Sequence, residues 1–87
     1  MTTSNNTLLL VDDNEVNRDL LSRRLQRHGF EIVTAVDGTH ALELAAARDF
    51  ALVLLDIEMP RVSGLDVLRA IRQQRSASEL PIIMPGR

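Results

Sequence analysis

The sequence predicts an α/β domain built on a parallel sheet. Two observations lead there. Short runs that are apolar throughout, Leu8–Val11 and Ala51–Leu55, read as strands buried on both faces, as in βαβ units. Amphipathic segments of helical period follow each run, so strand and helix alternate along the chain. A third observation points to a site. The runs end in Asp12-Asp13 and in Asp56, and ligands of such sheets bind beyond the carboxyl ends of the strands.

The elements follow in order. Residues 1–6, Met-Thr-Thr-Ser-Asn-Asn, read as a disordered polar tail, and residues 7–87 as one small domain. Strand one covers Thr7–Val11. Asn14 is placed to cap a helix reaching His28, with Val16, Leu20, Leu21 and Leu25 along one face. Gly29 stands where a helix ends in a left-handed residue. Phe30–Ala35 is strand two, and Asp37-Gly38 is a turn. Thr39 then caps a short helix with Ala41, Leu42, Ala45 and Ala46. Strand three is Ala51–Leu55, followed by the loop Asp56–Gly64. In that loop proline fixes the backbone and glycine supplies a turn. Leu65–Gln74 is a third helix with Leu65, Leu68 and Ile71 inward, and Pro81–Met84 opens a fourth strand.

Composition removes several classes of function. The 87 residues carry a net charge of -2, which gives no electrostatic case for nucleic acid or an anionic membrane surface. With no cysteine there is no disulfide or thiolate chemistry. No apolar run approaches the roughly 18 residues of a membrane span, and the polar start is no signal peptide, so a cytoplasmic setting is expected. No Gly-x-Gly-x-x-Gly follows strand one, which argues against a dinucleotide site. Asp56 is followed by Ile57-Glu58-Met59, which lacks the second aspartate that a haloacid-dehalogenase phosphatase places after its nucleophile. The chain is expected not to be an enzyme. His28 and His40 have no carboxylate pattern to join and read as surface residues.

The three aspartates have a bland reading, since acids favour turns and helix N-termini. The full ordered set outweighs it: Leu8–Asn14, Ala35-Val36-Asp37-Gly38 with Ala41-Leu42, Leu54-Leu55-Asp56-Ile57-Glu58-Met59-Pro60, Gly64, and Pro81-Ile82-Ile83-Met84. This set resembles the receiver domain of two-component response regulators over nearly the whole chain. Asp12-Asp13-Asn14 with Asn17 looks most like receivers attached to hybrid sensor kinases. The resemblance implies a flavodoxin-like doubly wound parallel sheet, here incomplete, with about four strands and three helices. It implies that Asp56 accepts a phosphoryl group from a histidine kinase or a histidine phosphotransfer protein. It implies Mg²⁺ held by Asp13 and Asp56, by Asp12 through water, and by the backbone carbonyl of Glu58. The Glu58 side chain would lie near the attacking water of dephosphorylation or be a solvated loop acid. The first helix would receive the donor, with Asn14 and Arg18 as docking residues, though Arg18, Arg23, Arg24 and Arg27 also read as a solvated face.

The chain departs from the family toward its end. Gly86 stands at the position of a threonine or serine that bonds the phosphoryl group, and the family's lysine is absent: all ten positive residues are arginine. The aromatic residue of the fifth strand is also absent, since the only aromatics are Phe30 and Phe50. Impaired switching is therefore expected, because phosphate at Asp56 has few partners to pull on. The resemblance implies strand order 2-1-3-4-5; without strand five, strand four becomes an edge, and Ile82, Ile83 and Met84 are expected to pair in a homodimer, directly or by a swap. Two alternatives stand beside this: a degenerate receiver acting as a phosphorylation-independent interaction module, and a fragment of a longer chain.

Overall fold

The computed structural model describes residues 6–56, 63–76 and 79–84. The order of elements is β1 (Thr7–Val11), α1 (Glu15–Arg27), β2 (Glu31–Ala35), α2 (Gly38–Ala47), β3 (Leu52–Leu55), α3 (Gly64–Gln74) and β4 (Ile82–Ile83). All pairings are parallel, and the strand order is β2-β1-β3-β4. The flavodoxin-like arrangement expected from the sequence is present. Chain direction reverses across the sheet between β1 and β3: β1 leads outward to β2, and β3 leads the other way to β4. That gap is the topological switch point.

Register divides the side chains between two faces. Leu9, Val11, Ala35, Val53 and Leu55 point toward α2 and α3 and form the core with Ala41, Ala45, Phe50, Val67, Ile71 and Leu80. Leu8 and Leu10 alternate to the other face, where α1 packs on β2 and β1. Burial of each large apolar side chain stabilises by about 1.5–3 kcal/mol.

Helix boundaries follow their caps. Asn14 caps α1 as expected, its Oδ1 accepting from the Asn17 N–H at 3.0 Å. Gly29 has φ +90°, the left-handed conformation open to glycine. The Asp37-Gly38 turn proves to be the start of α2. The Asp37 carboxylate accepts from the His40 N–H at 2.8 Å, so Asp37, and not Thr39, is the cap. Ser63 caps α3 through the Asp66 N–H at 3.2 Å, and its helix begins at Gly64, one residue earlier than expected.

Three inward assignments fail. Leu65 is half exposed, because Gly64, Val67 and Ile71 form the buried stripe of α3 and Leu65 lies off it. Val16 and Leu20 are also exposed, and no residue of α1 is fully buried. Leu21 and Leu25, of the same predicted face, are partly buried. The expected tail also stops short of Asn6. This residue accepts from the Glu31 N–H at 3.1 Å and donates through Nδ2 to the Gly29 carbonyl at 2.7 Å. Residues 1–5 lie outside the described part. No helix among the described residues is long and apolar enough to cross a membrane.

Candidate phosphoacceptor and metal site

The site begins with register. Val11 of β1 faces Leu55 of β3, so one step further along both strands sets Asp12 beside Asp56. The Asp56 N–H donates to the Val11 carbonyl at 3.0 Å, and the Asp12 N–H donates to Ala35 at 3.2 Å, so the ladder continues into the acidic residues. Asp13 follows in the turn to α1. One carboxylate oxygen from each of Asp12, Asp13 and Asp56 lies within 4.8 Å of the others. Asp12 is buried, Asp56 partly buried and Asp13 exposed.

Such proximity costs free energy. Two unit charges at this spacing repel by roughly 3–4 kcal/mol at an effective dielectric near 20. Asp12 registers the cost. Burial pushes its carboxyl above the ordinary value, and the charges of Asp56 and Asp13 add to the rise. The Asn14 N–H, donating to Oδ1 at 2.8 Å, acts in the opposite direction. The oxygens fit a hard divalent cation, which would offset the repulsion. Mg²⁺ keeps several waters and takes few protein ligands, which matches a site open at Asp13.

Asn14 is exposed beside the cluster, at the head of α1. Arg18 is half-buried, and its Nη1 donates to the Asp12 carbonyl at 2.8 Å. The other α1 arginines, Arg23, Arg24 and Arg27, are exposed, as are His28 and His40. A groove of about 430 Å³ runs along α1, lined in part by Glu15, Val16, Arg18, Leu20 and Thr34, and it includes none of the three aspartates. The acid cluster lies instead at the carboxyl ends of β1 and β3. Glu58 lies outside the described residues. Ile82 and Ile83 form β4 beside β3 at the margin of the described sheet, Met84 follows them, and Ile83 is half exposed. Sequence reasoning did not single out the Arg18 contact with the loop. Its one available signal was an arginine one turn past the cap of α1.

Comparison with known proteins agrees with the geometry. Residues 8–86 match the family described as response regulator receiver domain. The chain is 38% identical over 80 residues to the alkaline phosphatase synthesis transcriptional regulatory protein PhoP of Bacillus subtilis, covering 92% of this chain and 32% of PhoP. It is 40% identical over 77 residues to the CAI-1 autoinducer sensor kinase/phosphatase CqsS of Vibrio cholerae, covering 87% of this chain and 11% of CqsS. Among solved structures, the response regulator TrrA of Thermotoga maritima, in complex with Mg²⁺-BeF, superposes with a TM-score of 0.84 at 42% identity. That match covers 90% of this chain and 66% of TrrA. TrrA has also been solved in complex with the histidine kinase ThkA, and this chain matches it there with a TM-score of 0.82. The chain thus spans about a third of PhoP and about two thirds of the TrrA chain. With its sheet order, its three strand-end aspartates and this match over nearly its full length, the chain belongs to the response regulator receiver domain family of two-component systems.

Proposed function

We propose that this chain accepts a phosphoryl group on Asp56 from a histidine kinase or histidine phosphotransfer protein, with Mg²⁺ held at the same site. The observation that carries the reading is the convergence of Asp12, Asp13 and Asp56 at the switch point of a receiver fold. In the step, an Asp56 carboxylate oxygen attacks phosphorus as the P–N bond to the donor histidine breaks. The electron pair returns to the imidazole, which takes up a proton, and an acyl phosphate is left on Asp56. Asp13 and Asp56 would hold the ion directly, Asp12 through water, and the Glu58 carbonyl would complete the protein ligands. The bound ion supplies charge compensation for the transferring oxygens. No lysine occurs in these 87 residues, so charge compensation within this stretch is assigned to the cation.

The donor approaches over the head of α1, where Asn14 is exposed. TrrA, a relative at 42% identity, has been solved with Mg²⁺-BeF and with a histidine kinase, which supports both ligands. A donor of this kind implies a cytoplasmic setting. We also infer that β4, at the sheet margin among the described residues, pairs through Ile82, Ile83 and Met84 with a second copy.

The test is intact mass after incubation with Mg²⁺ and a small-molecule phosphodonor, with Asp56→Ala alongside. One added phosphoryl group in the wild type alone is the expected result. Equal labelling of Asp56→Ala, or none of either, removes the phosphoacceptor reading for this chain. Native mass of the same samples reads the homodimer directly.

A further inference from the structure

Arg18 stands one turn into α1, and its side chain turns back onto the loop that precedes the helix. Nη1 donates to the Asp12 carbonyl at 2.8 Å, while the Arg18 N–H donates to the Asn14 carbonyl at 2.9 Å. Besides the Arg18 bond to its carbonyl, the Asp12 N–H donates to Ala35 and its carboxylate accepts from the Asn14 N–H. The bonds from Asn14 and Asn17 are ordinary capping contacts of the turn. The Arg18 bond is different, since it reaches across six residues from a half-buried guanidinium. Hydrogen bonds from an ionised donor are shorter and stronger than neutral ones. By contrast Arg23, further along α1, pairs with Asp19 at 3.3 Å with both side chains largely exposed, an arrangement that contributes little.

The Asp12 carbonyl is one end of the peptide plane that joins Asp12 to Asp13. That plane is rigid, so fixing its oxygen fixes its rotation and the direction in which the Asp13 chain leaves it. Asp13 needs such help. It is exposed, and none of the described residues hydrogen-bonds its side chain. We propose that Arg18 is a positioning residue for the acidic cluster: by holding the Asp12 carbonyl it sets the Asp12–Asp13 peptide and aims the Asp13 carboxylate toward Asp56. The consequence for metal affinity rests on the Mg²⁺ reading above; the consequence for loop order does not. Groups that orient metal ligands without touching the ion are known to tune affinity in this way.

The test compares wild type, Arg18→Met and Arg18→Lys. Methionine keeps the apolar stem without a donor, and lysine keeps a charged donor. Two readouts are taken: amide NMR titration with Mg²⁺, and hydrogen exchange at Asn14 and Asn17 in the metal-free chains. Arg18→Met is expected to raise the Mg²⁺ Kd about tenfold, with Arg18→Lys recovering most of the loss. Exchange at Asn14 and Asn17 is expected to quicken in Arg18→Met. Wild-type affinity in Arg18→Met overturns the proposal, and so does an equal loss in the methionine and lysine variants. Should the wild type bind no Mg²⁺, the metal reading falls and exchange alone decides: faster exchange in Arg18→Met supports the clamp, and unchanged exchange overturns it. If Arg18→Met does not fold, Arg18→Gln, whose amide is too short to reach the carbonyl, replaces it in every comparison.

Discussion

The two faces of the sheet are finished to different degrees. Toward α2 and α3, Leu9, Val11, Val53 and Leu55 are wholly shielded beneath Ala41, Ala45, Val67 and Ile71. Toward α1, Leu8 and Leu10 are buried, yet Val16 is 67% exposed and Leu20 55% exposed. Leu52 and Leu54, on the same face by register, are only partly covered, and Ile83 beside them is half exposed. Width explains the difference. A helix is about 10 Å across and strands lie about 4.8 Å apart, so one helix shields roughly two strands. Two helices close one face of a four-stranded sheet. On the other face α1 packs over β2 and β1 and leaves β3 and β4 uncovered among the described residues. An apolar stripe on a helix is therefore a demand for a neighbour, and the pattern alone does not say whether the neighbour is there.

The largest effect that separates the faces is expected in the closed core. Leu9→Ala should lower unfolding free energy by about 2–5 kcal/mol, because a cavity opens among atoms that cannot collapse onto it. Urea denaturation reads this, and a loss under about 1 kcal/mol would mean that the α2/α3 face is not tightly packed. Leu10→Ala, on the α1 face, should fall near the lower end of the same range, since the more open surroundings can relax. A loss equal to that of Leu9→Ala would erase the distinction.

A smaller effect concerns the rim where the strands end. Asp12 in the folded chain holds its proton more tightly than the ordinary value of 3.8 allows, chiefly through burial. Over the interval between that value and the raised one, the folded state binds more protons than the unfolded state. Metal-free stability therefore falls as pH rises through this interval and is level above it for this group. Asp12→Asn should remove that slope and melt higher than wild type at pH 7 without metal. Parallel pH profiles of the two proteins would show that Asp12 carries no such penalty. The smallest effect belongs to the open face: Leu20→Ser should change stability by no more than about 0.5 kcal/mol. If that substitution destabilises strongly, α1 is covered in solution by something beyond the described residues.

Much of this could be read before any coordinates. Runs of Leu and Val at 8–11 and 52–55 have no polar face to expose, so both became central strands. Asn14 and Gly29 bracket α1 because only certain side chains cap a helix start and glycine readily turns left-handed at its end. Other details were not legible. Asp37 serves as a turn residue or as a cap with the same chemistry, and the choice depends on where the following helix docks. Phe50 and Leu80 lie outside any periodic stripe, and their burial arises from loops folding over the end of the core.

The sequence by itself determined that strands and helices alternate, that the strands are buried, and that three aspartates stand at strand ends, because these follow from local pattern and the rigid period of each element. Only the tertiary structure decided which strands are neighbours, and with that the closeness of Asp12, Asp13 and Asp56. It alone decided that Arg18 turns inward to the loop while Arg23, Arg24 and Arg27 of the same helix face outward, and that α1 leaves Val16 and Leu20 in the open. The reason is common to all three: contact between residues far apart in the chain depends on register and on how many layers cover each face, and neither is encoded in any one segment.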